Sequence, residues 1–327
     1  MILPLRMGMD LGTTSVLINV KGKGIVLNEP SVVAYYRNES KVVSVGLEAE
    51  TMLGKTPPHI QAMRPVRHGV IVNLPVTESM LRYFFRRVGL LYRPQVTISV
   101  PANVTNVARR AVREAALCAG ASKVWLVEEP IAAGYGAGID MHAPKGVMVV
   151  DLGGGTTDIS VICNGVSIVS ESVRAAGDQF NATIRDLLRY RFNLLISERA
   201  AEDIKITLGS AIAPETEQQM EVRGSDVVDG TLRPQIISNL HIHQAICEPL
   251  QEILDAIKRV LAKTPPALAG DLVTQGIVLT GGGALLGNLD VFLSRSLQIP
   301  VRVAENPLQC VALGALEVPL EYLEEAH

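Results

Sequence analysis

Two short stretches carry residue types that suit polyphosphate chemistry. Residues 10–14 read Asp10-Leu11-Gly12-Thr13-Thr14, followed by Ser15. Residues 151–158 read Asp151-Leu152-Gly153-Gly154-Gly155-Thr156-Thr157-Asp158. Glycine lets backbone N–H groups approach an anion closely. The hydroxyls add donors, and an aspartate can hold a hydrated cation. One such stretch alone reads as an ordinary turn. Two of them imply a pair of similar units that grip one polyphosphate from opposite sides.

The surrounding sequence supplies elements to hold these turns. Met7-Gly8-Met9 and Val147-Met148-Val149-Val150 are apolar runs of strand type, and Val16–Val20 and Ile159–Ile162 are β-rich runs after each turn. Each stretch is therefore a hairpin with its aspartate at the end of the first strand. Ile277-Val278-Leu279-Thr280 predicts a third buried strand, entering Gly281-Gly282-Gly283 and then a helix near Ala284–Leu297. A strand that ends in glycines before a helix suits an anion or nucleotide; a tight turn without a ligand is the plain alternative. Glu128-Glu129-Pro130 closes the strand Lys123–Val127, where ligands bind in α/β sheets. Adjacent side chains on extended backbone point to opposite faces, so at most one glutamate faces the site. A carboxylate there can orient water toward a phosphate. Glu202-Asp203-Ile204-Lys205 lies on a predicted helix, with Glu202 and Lys205 on one face. By spacing alone, that pair is a solvated salt bridge.

Further elements follow from pattern. Helices are expected at Thr77–Val88 with Thr77 as N-cap, at Thr105–Ala119 closed by Gly120, at Pro130–Ala137, at Gly177–Phe192, at Ser197–Leu208 and at Ile242–Ala262. Residues 40–71 and 217–238 look like insertions. The loop after Gly89 reads Leu90-Leu91-Tyr92 between Arg86-Arg87 and Arg93. Apolar residues bracketed by arginines suit an anionic bilayer surface, and folding back into the core is the plain alternative.

Composition sets the limits. The 327 residues suit two domains of ordinary size. With 48% hydrophobic and 19% charged residues, the chain can bury large cores, and disorder is not expected. A net charge of −3 gives no reason to expect nucleic acid as a partner. Cys118, Cys163, Cys247 and Cys310 lack redox or metal-ligand spacing, which points to a reducing cytosol. The six histidines have no metal-ligand spacing either, and no role is assigned to them. Met1–Arg6 is too short for a signal peptide, Pro4 argues against an anchoring helix, and no apolar run spans a membrane.

These motifs together resemble the actin, sugar-kinase and heat-shock-ATPase superfamily. Within it the chain is similar to the MreB family of bacterial actins over nearly its whole length. The stretches that carry the resemblance are Lys21-Gly22-Lys23-Gly24 through Val33, Val127-Glu128-Glu129-Pro130, Ser197 through Lys205, and Ile277 through Leu286. The resemblance implies an α/β actin-like fold. Two ribonuclease-H-like domains would each carry a small subdomain, with a nucleotide in the central cleft. The domains would be 1–138 plus 310–327, with a small subdomain at about 29–71, and 139–309, with one at about 181–239.

It further implies ATP, or ADP after hydrolysis, with Mg2+ near Asp10 and Asp151. Gly12, Thr13, Thr14 and Ser15 would line one side of the phosphates, and Gly153, Gly154, Gly155 and Thr156 the other. The stretch Glu202, Asp203, Ile204, Lys205 would meet the nucleoside, with Glu202 and Lys205 in contact. Gly281, Gly282, Gly283, Ala284 and Leu285 would close around the sugar and α-phosphate. Glu129 matches the water-orienting position, with Thr157 beside it. The implied activity is slow ATP hydrolysis in self-associating filaments that organise cell-wall synthesis and cell shape. The implied location is the cytoplasm, peripheral at the inner membrane face, with Leu90, Leu91 and Tyr92 on the anionic membrane and cell-elongation proteins as partners. A soluble small-molecule kinase of the same superfamily is the alternative; it would need a catalytic base aimed at a substrate hydroxyl. Two departures stand out. Thr13-Thr14-Ser15-Val16 replaces the family's usual Thr-Ala-Asn-Thr, and Gly134-Tyr135 its Ala-Ile.

Overall fold

The computed structural model describes residues 5–38, 41–89 and 93–325. Two large sheets organise it. The first runs Glu324–Glu325, Lys123–Glu128, Gln95–Val100, Arg6–Leu11, Ser15–Val20, Gly24–Pro30. The second runs Val166–Val173, Thr157–Cys163, Val147–Leu152, Ile277–Thr280, Val301–Val303. Both follow one plan. Three antiparallel strands form a meander, and its first strand then pairs in parallel with a strand from much later in the chain. The duplication read from two short turns therefore extends to the topology of both sheets.

The strands form where apolar residues run without alternation. All six residues of Val147–Leu152 are buried, as expected for a parallel strand covered on both faces. One core lies behind the first sheet and includes Met9, Ile98, Phe84 and Phe85. A larger one lies behind the second, around Val150, Phe180, Ile246 and Leu279. A third joins the two halves through Val127, Ala132, Val149 and Cys310. There helices Glu129–Gly136 and Cys310–Glu317 cross backbone to backbone: a Cβ on Gly136 would strike the Cys310 carbonyl, and one on Gly314 the Ala132 carbonyl. The small-residue composition of 130–137 thus serves contact between helices.

Two smaller three-stranded sheets are hydrogen-bonded separately yet share these cores, through Val33, Tyr35 and Val45 in the first and Leu194, Val222 and Ile237 in the second. One orders Val42–Val45, Val33–Tyr36, Ile60–Met63, and the other Leu194–Leu195, Gln219–Asp226, Leu232–Ser238.

Two expected boundaries are corrected. The helix expected from Thr77 begins at Leu74, because Asn73 accepts from Val76 N at 3.1 Å and Pro75 fits the first turn. Thr77 lies inside the helix, its hydroxyl bonded to Asn73 O. The helix expected near Ala284–Leu297 is split into a 3-10 turn, Gly282–Leu285, and an α-helix, Leu289–Leu297. Gly287 breaks it by bridging to Ser210, with Ala211 N donating to Gly287 O at 2.7 Å.

Candidate functional site

The two hairpin turns meet tip to tip. Each is closed by the same bond, Gly12 N to Ser15 O at 3.1 Å and Gly153 N to Thr156 O at 2.9 Å. A Cβ on Gly154 would overlap Thr14 Oγ1, and one on Gly155 would overlap Thr13 Oγ1. Glycine is required here because the first turn's hydroxyls occupy that space. A cavity opens between the tips. Asp10, Gly12, Thr13, Thr14 and Ser15 line it from one side, and Asp151, Gly153, Gly154, Gly155 and Thr156 from the other. Gly281, Gly282 and Gly283 close a third wall, with Glu202 and Lys205 opposite. Gly281 has φ 78°, and a Cβ there would strike the Leu152 backbone. Only glycine lets strand Ile277–Thr280 turn so close to its neighbour.

The expected residues divide into two groups. Those just named reach the cavity, as does Glu129, the first residue of its helix. Glu128 points elsewhere, paired with Arg109 at 3.3 Å, so the two glutamates do take opposite faces. Thr157 is not brought to the cavity: it is fully buried, and its hydroxyl donates to Ala175 O at 2.6 Å. The reason is the strand's alternation, which turns Thr156 outward and Thr157 inward. Ile204 packs in the core and Asp203 is exposed, since only positions three apart share the cavity face of helix Glu198–Leu208. Ala284 is buried and Leu285 is 59% exposed; neither lines the cavity. Leu90, Leu91 and Tyr92 lie outside the described residues.

Electrostatics mark the floor. Asp10 Oδ1 accepts from Ser99 at 3.4 Å, and Asp151 Oδ1 from Thr280 at 2.7 Å. Both hydroxyls come from the neighbouring parallel strand. Burial pushes the Asp10 carboxyl up to about 6, against the pull of Ser99. Burial pushes Asp151 up to about 7, opposed by Thr280 and reinforced by the charges of Asp10 and Asp158. Glu129 is held well above the ordinary carboxylate range, first by burial and then by Asp158, Asp10 and Asp151. These carboxylates, Asp151 and Glu129 buried and Asp10 partly so, repel one another, an arrangement a cation relieves. Hard oxygen donors fit Mg2+, which is usually held by one or two carboxylates, waters and substrate phosphates. Among the described residues no three His, Cys, Asp or Glu side chains form a metal cage by themselves. Asp10 and Asp151 thus fit the cation only in company with phosphate.

Three features escaped the sequence reading. Asp158 is fully buried behind Glu129, and its Oδ1 accepts from Ala102 N at 3.0 Å. Gly177 and Asp178 line the cavity, and their N–H groups donate to Gly153 O at 3.1 Å and Gly154 O at 2.7 Å. Gly-Asp at the start of a helix was the available signal. Two contacts also join the cavity's rims. Arg64 donates to Thr13 O and Thr14 O and pairs with Glu198 at 3.2 Å, and His68 Nδ1 lies 2.8 Å from Gly155 O. Nothing in the spacing of Arg64 or His68 announced these.

Known proteins resemble this chain over almost its whole length. The profile of the MreB/Mbl protein family matches residues 5–326. The cell shape-determining protein Mbl of Bacillus subtilis is 46% identical over 310 residues, covering 94% of this chain and 93% of its own. The cell shape-determining protein MreB of Escherichia coli is 46% identical over 317 residues, covering 94% and 91%. Among solved structures, MreB5 of Spiroplasma citri bound to AMPPNP superposes with a TM-score of 0.92 at 34% identity, over 97% of this chain and 96% of that one. The fold is the actin-like α/β fold.

Proposed function

The chain belongs to the MreB/Mbl family, and from that premise we propose that it is a cytoskeletal ATPase. It assembles into actin-like filaments at the inner face of the cell membrane, where they organise cell-wall synthesis and cell shape together with cell-elongation proteins. The observation that carries this reading is the tip-to-tip meeting of the two turns above a floor of buried carboxylates. A polyphosphate between the tips would receive N–H groups and hydroxyls from both halves, so its presence favours a closed cleft. The AMPPNP held by the S. citri relative supports a nucleoside triphosphate as that ligand.

The residues divide the work. The first and second turns bind the phosphates, Glu202 and Lys205 the nucleoside, and Gly281, Gly282 and Gly283 the sugar side. Asp10 and Asp151 would hold Mg2+, which would supply charge neutralisation at the transferred phosphoryl group. Glu129 orients the attacking water by accepting its proton in a hydrogen bond. For this it must be ionised, which burial opposes first and the charges of Asp158, Asp10 and Asp151 next; a bound cation would offset those charges. We also propose two domains, 1–138 with 310–327 and 139–309, hinged where helices Glu129–Gly136 and Cys310–Glu317 cross. Among the described residues no helix is long and apolar enough to cross a membrane. Attachment through Leu90, Leu91 and Tyr92, which lie outside the described residues, rests on their sequence. A buried leucine contributes about 1.5–3 kcal/mol, weak for one subunit but multiplied along a filament.

Pelleting with ATP and magnesium, with and without anionic liposomes and alongside phosphate release, tests this function. Filaments that release phosphate and are recovered in greater yield on liposomes are expected. Phosphate release with no polymer under any condition would overturn the cytoskeletal reading. Leu90→Ser with Leu91→Ser is expected to abolish liposome recovery and to leave polymerisation in solution unchanged.

A further inference from the structure

Helix Gly177–Phe192 touches two parts of the cavity at once. At its start, the N–H groups of Gly177 and Asp178 hold the carbonyls of Gly153 and Gly154 in the second turn. One helical turn later, Asn181 Nδ2 donates to Glu202 Oε2 at 2.6 Å. Asn181 is only 4% exposed. The same Glu202 oxygen accepts from Lys205 Nζ at 2.8 Å, and that Nζ also donates to Gly177 O at 3.3 Å. The loop of bonds is closed: helix start, lysine, glutamate, asparagine, and back to the helix.

This loop fixes Glu202 in a particular way. Both donors load one carboxylate oxygen, and Oε1 has no partner among the described residues. An ionised carboxylate only accepts, so it must be the NH2 group of Asn181 that faces it. That orientation leaves Asn181 Oδ1 buried without a partner. A buried carbonyl oxygen without a donor costs free energy, and an apolar side chain would avoid that cost. What asparagine supplies here, and an apolar side chain would not, is the donor to Glu202. An aspartate in its place would set two carboxylates against each other.

We propose that Asn181 is a positioning residue for nucleoside recognition, aiming Glu202 at the nucleoside from the helix that holds the second phosphate turn. The inference rests on the reading that the cleft holds a nucleoside triphosphate with Glu202 at its nucleoside. Asn181 lies four residues after Gly177, about 6 Å along the axis at 1.5 Å per residue. The helix thereby sets the spacing between the phosphate and nucleoside subsites. Its effect falls on binding of the nucleoside and not on the chemical step, because none of the bonds in this loop involves Glu129, whose charged neighbours are Asp158, Asp10 and Asp151.

The test is a double-mutant cycle with two ligands, Mg-ATP and Mg-tripolyphosphate, on the full chain. Asn181→Ala is expected to weaken ATP about tenfold, leave tripolyphosphate affinity unchanged, and hold kcat within about twofold. Glu202→Ala is expected to weaken ATP at least as much, and the double variant no further, since Asn181 acts through Glu202. Asn181→Leu, closer in volume, replaces the alanine variant if that fails to fold. Equal weakening of ATP and tripolyphosphate by Asn181→Ala would overturn the inference, because it would show a loosened phosphate turn. So would additive losses in the double variant, or no loss from Asn181→Ala while Glu202→Ala weakens ATP. An unaffected Glu202→Ala would remove the nucleoside role of Glu202 itself and the inference with it. A wild-type chain that binds no ATP would overturn the proposed function.

Discussion

The two glycine-and-hydroxyl turns share a plan and differ in what they contribute. Each follows an aspartate at the end of a strand, and each aspartate accepts from a hydroxyl on the adjoining parallel strand. The first turn carries its hydroxyls at the tip. The second carries glycine where it faces Thr13 and Thr14, and so yields the space those side chains need. The second half also sits deeper: Asp151 is 5% exposed and Asp158 fully buried, whereas Asp10 is only half-buried. A duplicated motif has thus become complementary, one half supplying side chains and the other supplying backbone and buried charge.

Glu129 offers the largest way to break that complementarity. It comes from the first half, yet its carboxyl is governed chiefly by burial and by Asp158 of the second. Replacing Glu129 by Ala is expected to slow phosphate release about 10²–10³-fold while ATP affinity stays within a few-fold. Single-turnover hydrolysis beside equilibrium binding checks this. Loss of binding in place of turnover would mean that Glu129 holds ligand and not water.

The turns themselves come next. Gly154→Val drives a side chain into Thr14, and ATP affinity is expected to fall about a hundredfold. Gly153→Ala meets only Thr156 O, at 3.1 Å, and is expected to cost a few-fold at most. Equal losses would show that the tips do not close on the ligand as their tip-to-tip contact implies.

The aspartates differ in a way that pH reveals. With the folded pKa of Asp151 raised to about 7, the native state binds more protons than the unfolded chain from about pH 4 to pH 7. Stability of the nucleotide-free protein therefore falls as pH rises through that window, and the whole penalty is present at pH 7.5. Asp151→Asn removes it. Denaturant unfolding in EDTA is expected to show a gain on the order of 2 kcal/mol at pH 7.5 and none near pH 4. Asp10→Asn, whose pKa is raised only to about 6, is expected to gain less. Destabilisation by Asp151→Asn at pH 7.5 would contradict the picture of repelling carboxylates.

Much of this is legible in the sequence. The paired turns and the glycine strand end each reflect a short-range rule of backbone, whereas the i, i+3 spacing of Glu202 and Lys205 reads as a plain salt bridge and only the family resemblance brings the pair to the cleft. What was not legible depends on which way a side chain faces once strands pair. Thr157 shares its hydroxyl chemistry with Thr156 but points into the core. Ile204 and Asp203 share a helix with the cavity residues but not a face. Asp158 was visible as a flanking aspartate, yet its place behind Glu129 needs two sheets to meet. The split at Gly287 likewise depends on Ser210, 77 residues earlier.

Arg64 offers the smallest effect and the sharpest view of how the halves communicate. It reaches from beside strand Ile60–Met63 to the carbonyls of Thr13 and Thr14, and its other nitrogen pairs with Glu198, on the helix that carries Glu202. The Arg64 side chain is 14% exposed and that of Glu198 50%, so water screens the ion pair more than the carbonyl bonds. Glu198→Ala is therefore expected to cost at most about 0.5 kcal/mol, and nothing in 1 M salt. Arg64→Ala also strips donors from two carbonyls of the first turn and is expected to cost about 1 kcal/mol, largely retained in salt. ATP affinity measured across a salt series for both variants separates the two roles. If both effects vanish together in salt, Arg64 works as a charge across the rim. If only that of Glu198→Ala vanishes, Arg64 works by holding the first turn in the shape that the second turn's glycines are cut to receive.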